Sequence, residues 1–541
     1  MDKITRPNRR TFTYNLTACA AGTLMLKPWV QEAYAATIVS SKGAAYRPIN
    51  DGLPVKPLEE PLPWRSMADA FDAYIMNSAN HVLIQRPDGK HGFVSALEGT
   101  TDGGLTTFAP ILLGKILRGD DVAQLMPSLE GYFSVEAGIF LDGVGAELCE
   151  YWYLMNINAL AAGIIRSKLA DDPHWTGRLR SSFERLISVA HQIEYDFNDQ
   201  GYNFKERRPF TKQDIYRQPD AIAGYSYLML FAFEMFADQK FLDEAKIAVA
   251  RYQSFEHNPW YEVPSGAIGS LAAARLSTFD ANVDLHKILG FVLDSKIGLM
   301  RTGTWGGKEV NGLMAGFSTE APDQVYSMES MVVFPYLLPV LRYRPEYSND
   351  IGRYALSTLA NLRWFYTDYL PADQQSRPEL PAAFPYERLD KSAKGHSPYA
   401  SGDFDSHRSV YGGAYALWLG QIVMPTAEKY VLQIDISRTD FLAGSSYPTY
   451  LYYNPWDGKR SVDMNVSNEK MDIYDLCNHR LLHKGVTGSV RVSLDASESK
   501  ILVVIPSGKK HSTKKGVLYF DEIAVDYAPS GKPNRVAGRS S

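Results

Sequence analysis

Two kinds of helical segment alternate along most of this chain, and the period then changes abruptly. Around 177–195, Leu179, Phe183, Leu186, Ala190 and Ile193 step by four, three, four and three, while Arg178, Arg180, Glu184 and Arg185 fall elsewhere. That spacing predicts a helix with one wet face. Residues 241–253 repeat it with Leu242, Ala245, Val249 and Tyr252. Between them, 221–236 is apolar nearly all round, with Tyr225, Tyr227, Leu228, Leu230, Phe231, Phe233 and Phe236. A helix apolar on every face must be covered on every face. The segment 145–169 is similar, with Leu148, Trp152, Met155, Ala159 and Ala162 on one side and Tyr151 and Leu154 beside them. Half-wet helices alternating with buried ones predict an outer ring around an inner one. Ten to twelve helices over 66–425 fit an (α/α)6 toroid, and the absence of a fixed-period repeat disfavours a solenoid.

After Met424 the period becomes two. Seven strands are expected, at 430–436, 447–453, 460–466, 471–474, 488–494, 500–505 and 517–527, separated by Gly, Asn, Asp and Ser clusters. They predict a small antiparallel β-sandwich over 428–527. Residues 36–65 lack periodicity and read as an extended lead-in, and 528–541 as a disordered tail.

The first 35 residues resemble a twin-arginine export signal. Lys3, Arg6, Arg9 and Arg10 make a basic start, Leu16 to Val30 is mildly apolar, and Ala33 and Ala35 are small residues suited to cleavage after Ala35. The apolar run is interrupted by Lys27 and Pro28, too short and polar for a stable membrane anchor. Leu16-Thr17-Ala18-Cys19 looks like a lipoprotein box but precedes the apolar run instead of following it. The expectation is a periplasmic or secreted protein that uses the twin-arginine machinery as a partner. A net charge of −5 without a long basic block disfavours nucleic acid as a ligand. Cys149 and Cys477 are too few and too distant to form a disulfide framework.

The C-terminal segments Tyr447-Pro-Thr-Tyr-Leu-Tyr-Tyr-Asn454-Pro, Asp472-Ile-Tyr-Asp475, Gly488-Ser-Val-Arg-Val and Ile501-Leu-Val-Val-Ile-Pro506 are similar to the terminal β-modules of many glycosidases. With the signal and the helical pattern, the chain resembles six-hairpin (α/α)6-toroid carbohydrate-active enzymes, both glycoside hydrolases and polysaccharide lyases. The resemblance implies a carbohydrate substrate and a cleft lined by the loops at one end of the inner helices.

Four loops carry chemistry-bearing residues. In 96–104, Glu98 and Asp102 sit among glycines, and glycosyl transfer needs one carboxyl as acid and another as base or nucleophile. Asp102 or Thr101 can equally cap the helix that starts near Thr106. In 142–151, Glu147, Glu150 and Tyr151 can share a face at a helix start, where acids also suit the dipole. In 218–220 and 258–266, Asp220 opens the buried helix as a cap, while Trp260 and Tyr261 beside Glu262 make a sugar platform with an acid, or Trp260 is a packing anchor between hairpins. In 402–413, Asp403, Asp405, His407, Arg408 and Tyr411 crowd one turn. Arg408 can clamp a carboxylate, His407 and Tyr411 can act as the base and acid of a lyase, and Asp403-x-Asp405-x-His407 has spacing for calcium. The plain alternative is a solvated turn capped by Asp405 or Ser406.

The expected activity is hydrolysis of an oligo- or polysaccharide, uronate-containing ones included. Glu98, Asp102, Glu262 and Asp405 are the acid/base candidates, and Glu150, Tyr151, Asp220, Trp260, Tyr261 and Arg408 bind substrate, with no required cofactor. A lyase would use His407, Tyr411 and Arg408. A glycan-binding protein would tolerate loss of every carboxylate. A toroid of the linalool dehydratase–isomerase kind would want an apolar cleft. No Walker loop, dinucleotide fingerprint, Gly-x-Ser-x-Gly or Cys-x-x-Cys occurs. Replacing Arg9 and Arg10 by lysine is expected to retain the protein in the cytoplasm on cell fractionation, and unchanged export contradicts the signal reading.

Overall fold

The computed structural model describes residues 48–50, 52–279, 282–316, 323–391 and 408–529. Among them are twelve α-helices: α1 (Trp64–Met76), α2 (Gly104–Arg118), α3 (Tyr151–Lys168), α4 (Pro173–Gln192), α5 (Ala221–Phe236), α6 (Gln239–Ser254), α7 (Val263–Leu276), α8 (Leu285–Leu293), α9 (Ser327–Val332), α10 (Phe334–Tyr343), α11 (Ser348–Asn361) and α12 (Val410–Ile422). Six positions form a closed inner ring: α2 packs on α3, α3 on α5, α5 on α7, α7 on α9 and α10, α9 on α12, and α12 back on α2. Outside it, α1 packs on α12, α4 on α3 and α5, α6 on α5, α8 on α7 and α11 on α10. The 3-10 segment Met126–Tyr132 takes the remaining outer place, against α2. This is the toroid that the alternating pattern predicts.

The wet-face and buried-face distinction explains which helix goes where. In α5 every residue from Ala221 to Ala232 is buried. In α4 the buried set is Leu179, Ser182, Phe183, Leu186, Val189 and Ala190, one stripe of an otherwise charged helix. Inner helices approach closely where residues are small. A Cβ placed on Gly269 of α7 would stand 2.5 Å from the Ala223 Cβ of α5.

The segment 145–150 differs from its expected helical form. Leu148–Glu150 is a strand paired with Gly201–Asn203, and the helix starts only at Tyr151. Gly145, at φ 73°, turns the chain away from helix before that strand. Glu147 and Glu150 therefore share no helical face with Tyr151, and Glu147 is exposed in an ion pair with Lys205 at 2.5 Å.

Beyond α12 an antiparallel six-stranded sheet has the order Val423–Pro425, Leu432–Asp435, Thr449–Tyr453, Ser499–Pro506, Met471–Asp475, Arg480–Val486. Ser499–Pro506 is covered on both faces. Ile501, Val503 and Ile505 join the main core, and Leu502 and Val504 pack under the ribbon of Arg460–Asn465 and Ser489–Leu494. The single strand expected at 517–527 is a hairpin, Val517–Phe520 with Ile523–Asp526, turned by Asp521 and Glu522 at φ 43° and 68°. Both non-glycine residues adopt the left-handed region that sequence reading assigns to Gly or Asn. His511–Lys514, polar on both faces, also pairs there.

Arg342 and the Tyr343 hydroxyl both donate to Asp440 at the start of the β-module, the hydroxyl at 2.7 Å. The lead-in crosses the same seam: Asn50 Nδ2 donates to the Asp350 carbonyl at 2.6 Å, Leu58 N to Glu309 at 2.8 Å and the Tyr453 hydroxyl to the Val55 carbonyl at 3.2 Å. Cys149 and Cys477 are both free thiols. No described helix is long and apolar enough to cross a membrane.

Close helix packing makes a paired prediction. Gly269→Ala raises helix propensity yet overpacks α7 on α5, and is expected to lower unfolding free energy by roughly 1–3 kcal/mol. Gly290→Ala in α8, where a Cβ meets nothing within 4 Å, is expected to raise it by about 0.4–1 kcal/mol. Denaturant midpoints check both.

Candidate active site

All six inner positions point their N-termini at one rim. The connections entering that rim are long, as in 77–103, 193–220 and 362–409, whereas those at the opposite end are short, as in 169–172, 237–238 and 344–347. Side chains at the first turns and the preceding loops therefore meet over the ring axis. They enclose a cavity of about 350 Å³ lined by Asp142, Glu262, Glu329 and Glu387, by Trp152, Tyr153, Tyr326 and Tyr411, and by Ser95, Ala96, Gly103, Thr106 and Thr107.

Several rim amides are bonded within the protein. Asp142 Oδ1 accepts the Thr106 N–H at 2.8 Å and its hydroxyl at 2.6 Å, and the Asp142 carbonyl accepts the Leu105 N–H. Gly104, at φ 71°, allows this: a Cβ there would stand 2.7 Å from the Asp142 carbonyl oxygen. Gln218 Oε1 takes the Trp152 N–H at 2.8 Å, and Asp220 Oδ2 takes the Glu262 N–H at 3.1 Å. The Glu387 carbonyl takes the Ser327 N–H, and Ser409 Oγ takes the Gly412 N–H at 2.7 Å, so Ser409 caps α12.

Glu262 and Glu329 are 5 % and 4 % exposed, and in each the Oε2 oxygen is buried with no hydrogen-bond partner. Burial pushes the Glu262 carboxyl well above the usual range, and the charges of Glu329, Asp220, Glu150 and Glu387 add to it. Burial and then Glu387 do the same for Glu329. The two therefore compete for charge, and burial favours the protonated form of each. Burial also raises Asp142, against the Thr106 bonds that favour its charged form. Asp220, fully enclosed behind Glu262, is pushed up to about 7 by burial. Tyr153 and Tyr411 are raised far above the ordinary phenol value by burial, so both face the cavity as neutral hydroxyls.

Of the residues singled out from sequence, Glu262 and Tyr411 line the cavity. Asp405 and His407, with Asp403, lie outside the described residues. Residues of all four loops reach the cavity wall, but several candidate side chains turn away from it. Asp102, one residue before the N-cap Gly103 of α2, accepts the Gly104 N–H at 3.1 Å and the Tyr132 hydroxyl at 3.3 Å. Glu98 Oε2 accepts the Arg408 N–H at 3.3 Å and ties two rim loops together. Glu150 accepts from Gln200 and Gln218, both at 2.9 Å, and Tyr151 is buried edge-on to Phe197. Asp220 stands at the N-cap of α5 without capping it; its Oδ2 accepts the Glu262 N–H and its Oδ1 has no partner. Trp260 and Tyr261 pack against the helical core behind the Glu262 loop. Arg408 is buried, its Nη2 donates to Thr367 Oγ1 at 2.9 Å and to the carbonyls of Leu380 and Pro381, its guanidinium lies 4.2 Å over the Tyr386 ring, and its Nε and Nη1 have no partner.

Sequence reading passed over Glu329 and Glu387, and left Asp142, Trp152, Tyr153 and Tyr326 without a site role. One signal was present for Glu329. It stands alone in Met328-Glu-Ser-Met-Val-Val-Phe334, an apolar run that must be buried, where an unneeded carboxyl is expensive. Among the described residues no group of three or more His, Cys, Asp or Glu is arranged to hold a metal ion.

No protein-family profile and no curated protein matches this sequence. Among solved structures, the chain is similar to a family 76 glycoside hydrolase from a bovine Bacteroides thetaiotaomicron strain, at 10 % identity and TM-score 0.44 over 66 % of this chain and 78 % of that one. A sugar epimerase from a ruminal bacterium aligns at 11 % identity and TM-score 0.45 over 66 % and 98 %. A β-L-arabinofuranosidase of family 127 from Geobacillus stearothermophilus aligns at 10 % identity and TM-score 0.36 over 86 % and 85 %.

Proposed function

We propose that this protein is a carbohydrate-active enzyme that hydrolyses a glycosidic bond in the rim cavity by carboxyl acid/base catalysis. One observation carries the reading: Glu262 and Glu329 are buried at the cavity wall, each with an unpartnered Oε2. Leaving such groups unsatisfied costs on the order of 1–3 kcal/mol each.

Roles follow from the environments. The Glu262–Glu329 pair keeps a proton at neutral pH and donates it to the leaving oxygen as the bond to the anomeric carbon breaks. Asp142, aimed by Thr106, takes the proton of the attacking water or attacks the anomeric carbon itself. Glu387 and the hydroxyls of Tyr153 and Tyr411 are placed to hold sugar hydroxyls, with Trp152 and Tyr326 as apolar walls. Four acidic groups in the wall disfavour a terpene alcohol. We further propose that the enzyme is exported by the twin-arginine route, on the strength of Arg9-Arg10 and Ala33-Tyr34-Ala35.

A panel of oligosaccharides assayed for new reducing ends tests the activity. Glu262→Gln and Glu329→Gln are each expected to lower kcat by on the order of 10²–10⁴-fold with unchanged thermal unfolding. Full activity in both variants defeats the assignment. A product absorbing near-ultraviolet light, from a new double bond, would replace hydrolysis with elimination.

The pH dependence has a defined sign. Activity falls on the alkaline side as the Glu262–Glu329 pair loses its proton. Asp220→Asn removes a negative charge behind Glu262 and is expected to move that limb to lower pH. Asp220 is raised in the folded state, so the stability it contributes is present below about 4, its usual range, and is lost as pH rises through about 7. Wild type should therefore lose stability relative to Asp220→Asn across that window, as measured by urea unfolding at a series of pH values.

A further inference from the structure

The helix faces that line the cavity continue downward into the ring. Tyr411 lines the cavity, and Tyr415 follows four residues later on the same face of α12, one turn deeper. Trp152 and Tyr153 line it from α3, and Asn156 follows four and three residues after them, again one turn deeper. Tyr415 and Asn156 are each 1 % exposed. Burial keeps Tyr415 a neutral hydroxyl, and the side chains that act on it are Asn156 and Glu329. The three therefore lie together beneath the cavity. The Tyr415 hydroxyl, both amide atoms of Asn156 and Glu329 Oε2 are all buried with no hydrogen-bond partner. Glu329 belongs to the cavity wall, but its Oε2 is closed off from the cavity. Substrate does not reach that oxygen, so its partner must come from below. Tyr415 and Asn156 adjoin, yet no direct hydrogen bond joins them. Buried polar groups clustered in this way are satisfied by ordered water, which takes roughly two to four polar partners.

We propose that the Tyr415 hydroxyl, the Asn156 amide and Glu329 Oε2 share a buried water site beneath the cavity, through which Tyr415 acts as a positioning residue for the Glu329 carboxyl. The inference rests on the acid role given above to the Glu262–Glu329 pair and names the groups that support it. The titratable groups facing Glu329 are Glu262 from the loop before α7, Glu387 from the loop before 388–390, and Tyr411 and Tyr415 from α12. When the pair gives its proton to the leaving oxygen, the two other carboxyls oppose the charge left on Glu329. The water accepts from the Tyr415 hydroxyl and from Asn156 Nδ2, and donates to Glu329 Oε2. A hydrogen bond to the charged form favours that form, so losing the hydroxyl raises the proton affinity of the pair.

Infrared titration of the free full-length protein follows the protonated-carboxyl band and needs no substrate. Tyr415→Phe is expected to move the midpoint of that band up by about one pH unit, a roughly tenfold change in proton affinity. In the oligosaccharide assay the alkaline limb should move the same way. Tyr354→Phe removes another buried, unpartnered hydroxyl, from the outer helix α11, and should leave the midpoint in place. Crystals of the wild-type protein should show an ordered water within hydrogen-bonding distance of at least two of Tyr415 Oη, the Asn156 amide and Glu329 Oε2. That observation holds even where a variant fails to fold. Direct contact among the three side chains without water, or equal midpoints in wild type and Tyr415→Phe, overturns the inference while the carbohydrate reading stands. A shifted midpoint in a protein that turns over no oligosaccharide keeps the water site and removes the carboxyl catalysis. If no protonated-carboxyl band titrates in wild type, both fall.

Discussion

Two buried carboxyl oxygens without a partner, on Glu262 and Glu329, set the terms for the rest of the rim. Each is expensive to enclose, and their charges oppose one another, so burial favours their protonated forms. The ring of inner helices makes this arrangement mechanically secure. Glu262 immediately precedes α7, Glu329 lies in the first turn of α9, and both helices are buried in the core beneath.

The same geometry explains why so many acids gather at one end. Six helix starts face a common axis, and their partial positive charge favours carboxylates nearby. Several of those acids answer this need alone. Asp102 serves the start of α2, and Asp220 holds the strand-like entry of Glu262 into α7. Asp142 does both jobs, fixing the first turn of α2 while presenting its carboxyl to the cavity. Distinguishing capping acids from catalytic ones therefore depends on which oxygen is left over, and a sequence does not record that.

Much of the architecture was legible because it depends on periodicity. The stripe of Leu179, Phe183 and Leu186 and the all-round apolar surface of 221–236 place α4 outside and α5 inside without further information. Local exceptions were not legible. Leu148–Glu150 became a strand because its partner, Gly201–Asn203, lies fifty residues on. The hairpin at Asp521-Glu522 turns through left-handed residues with no glycine to mark it. At the site, Glu262 stood out through its neighbours Trp260 and Tyr261, although those rings pack behind it. Glu387 carries no local mark, since its place at the cavity comes from the pairing of 324–326 with 388–390. The density of charge at 403–408 pointed to Arg408, whose guanidinium instead ties loop carbonyls together.

The central claim is that the Glu262–Glu329 pair remains protonated in the folded protein at neutral pH. Infrared difference spectroscopy of the full-length protein, recorded across neutral pH, observes the carbonyl stretch of protonated carboxylic acids directly. The account predicts such a band in wild type at pH 7 and its weakening in Glu262→Gln and in Glu329→Gln. A wild-type spectrum at pH 7 without any protonated carboxyl, or one unchanged by both substitutions, would contradict it.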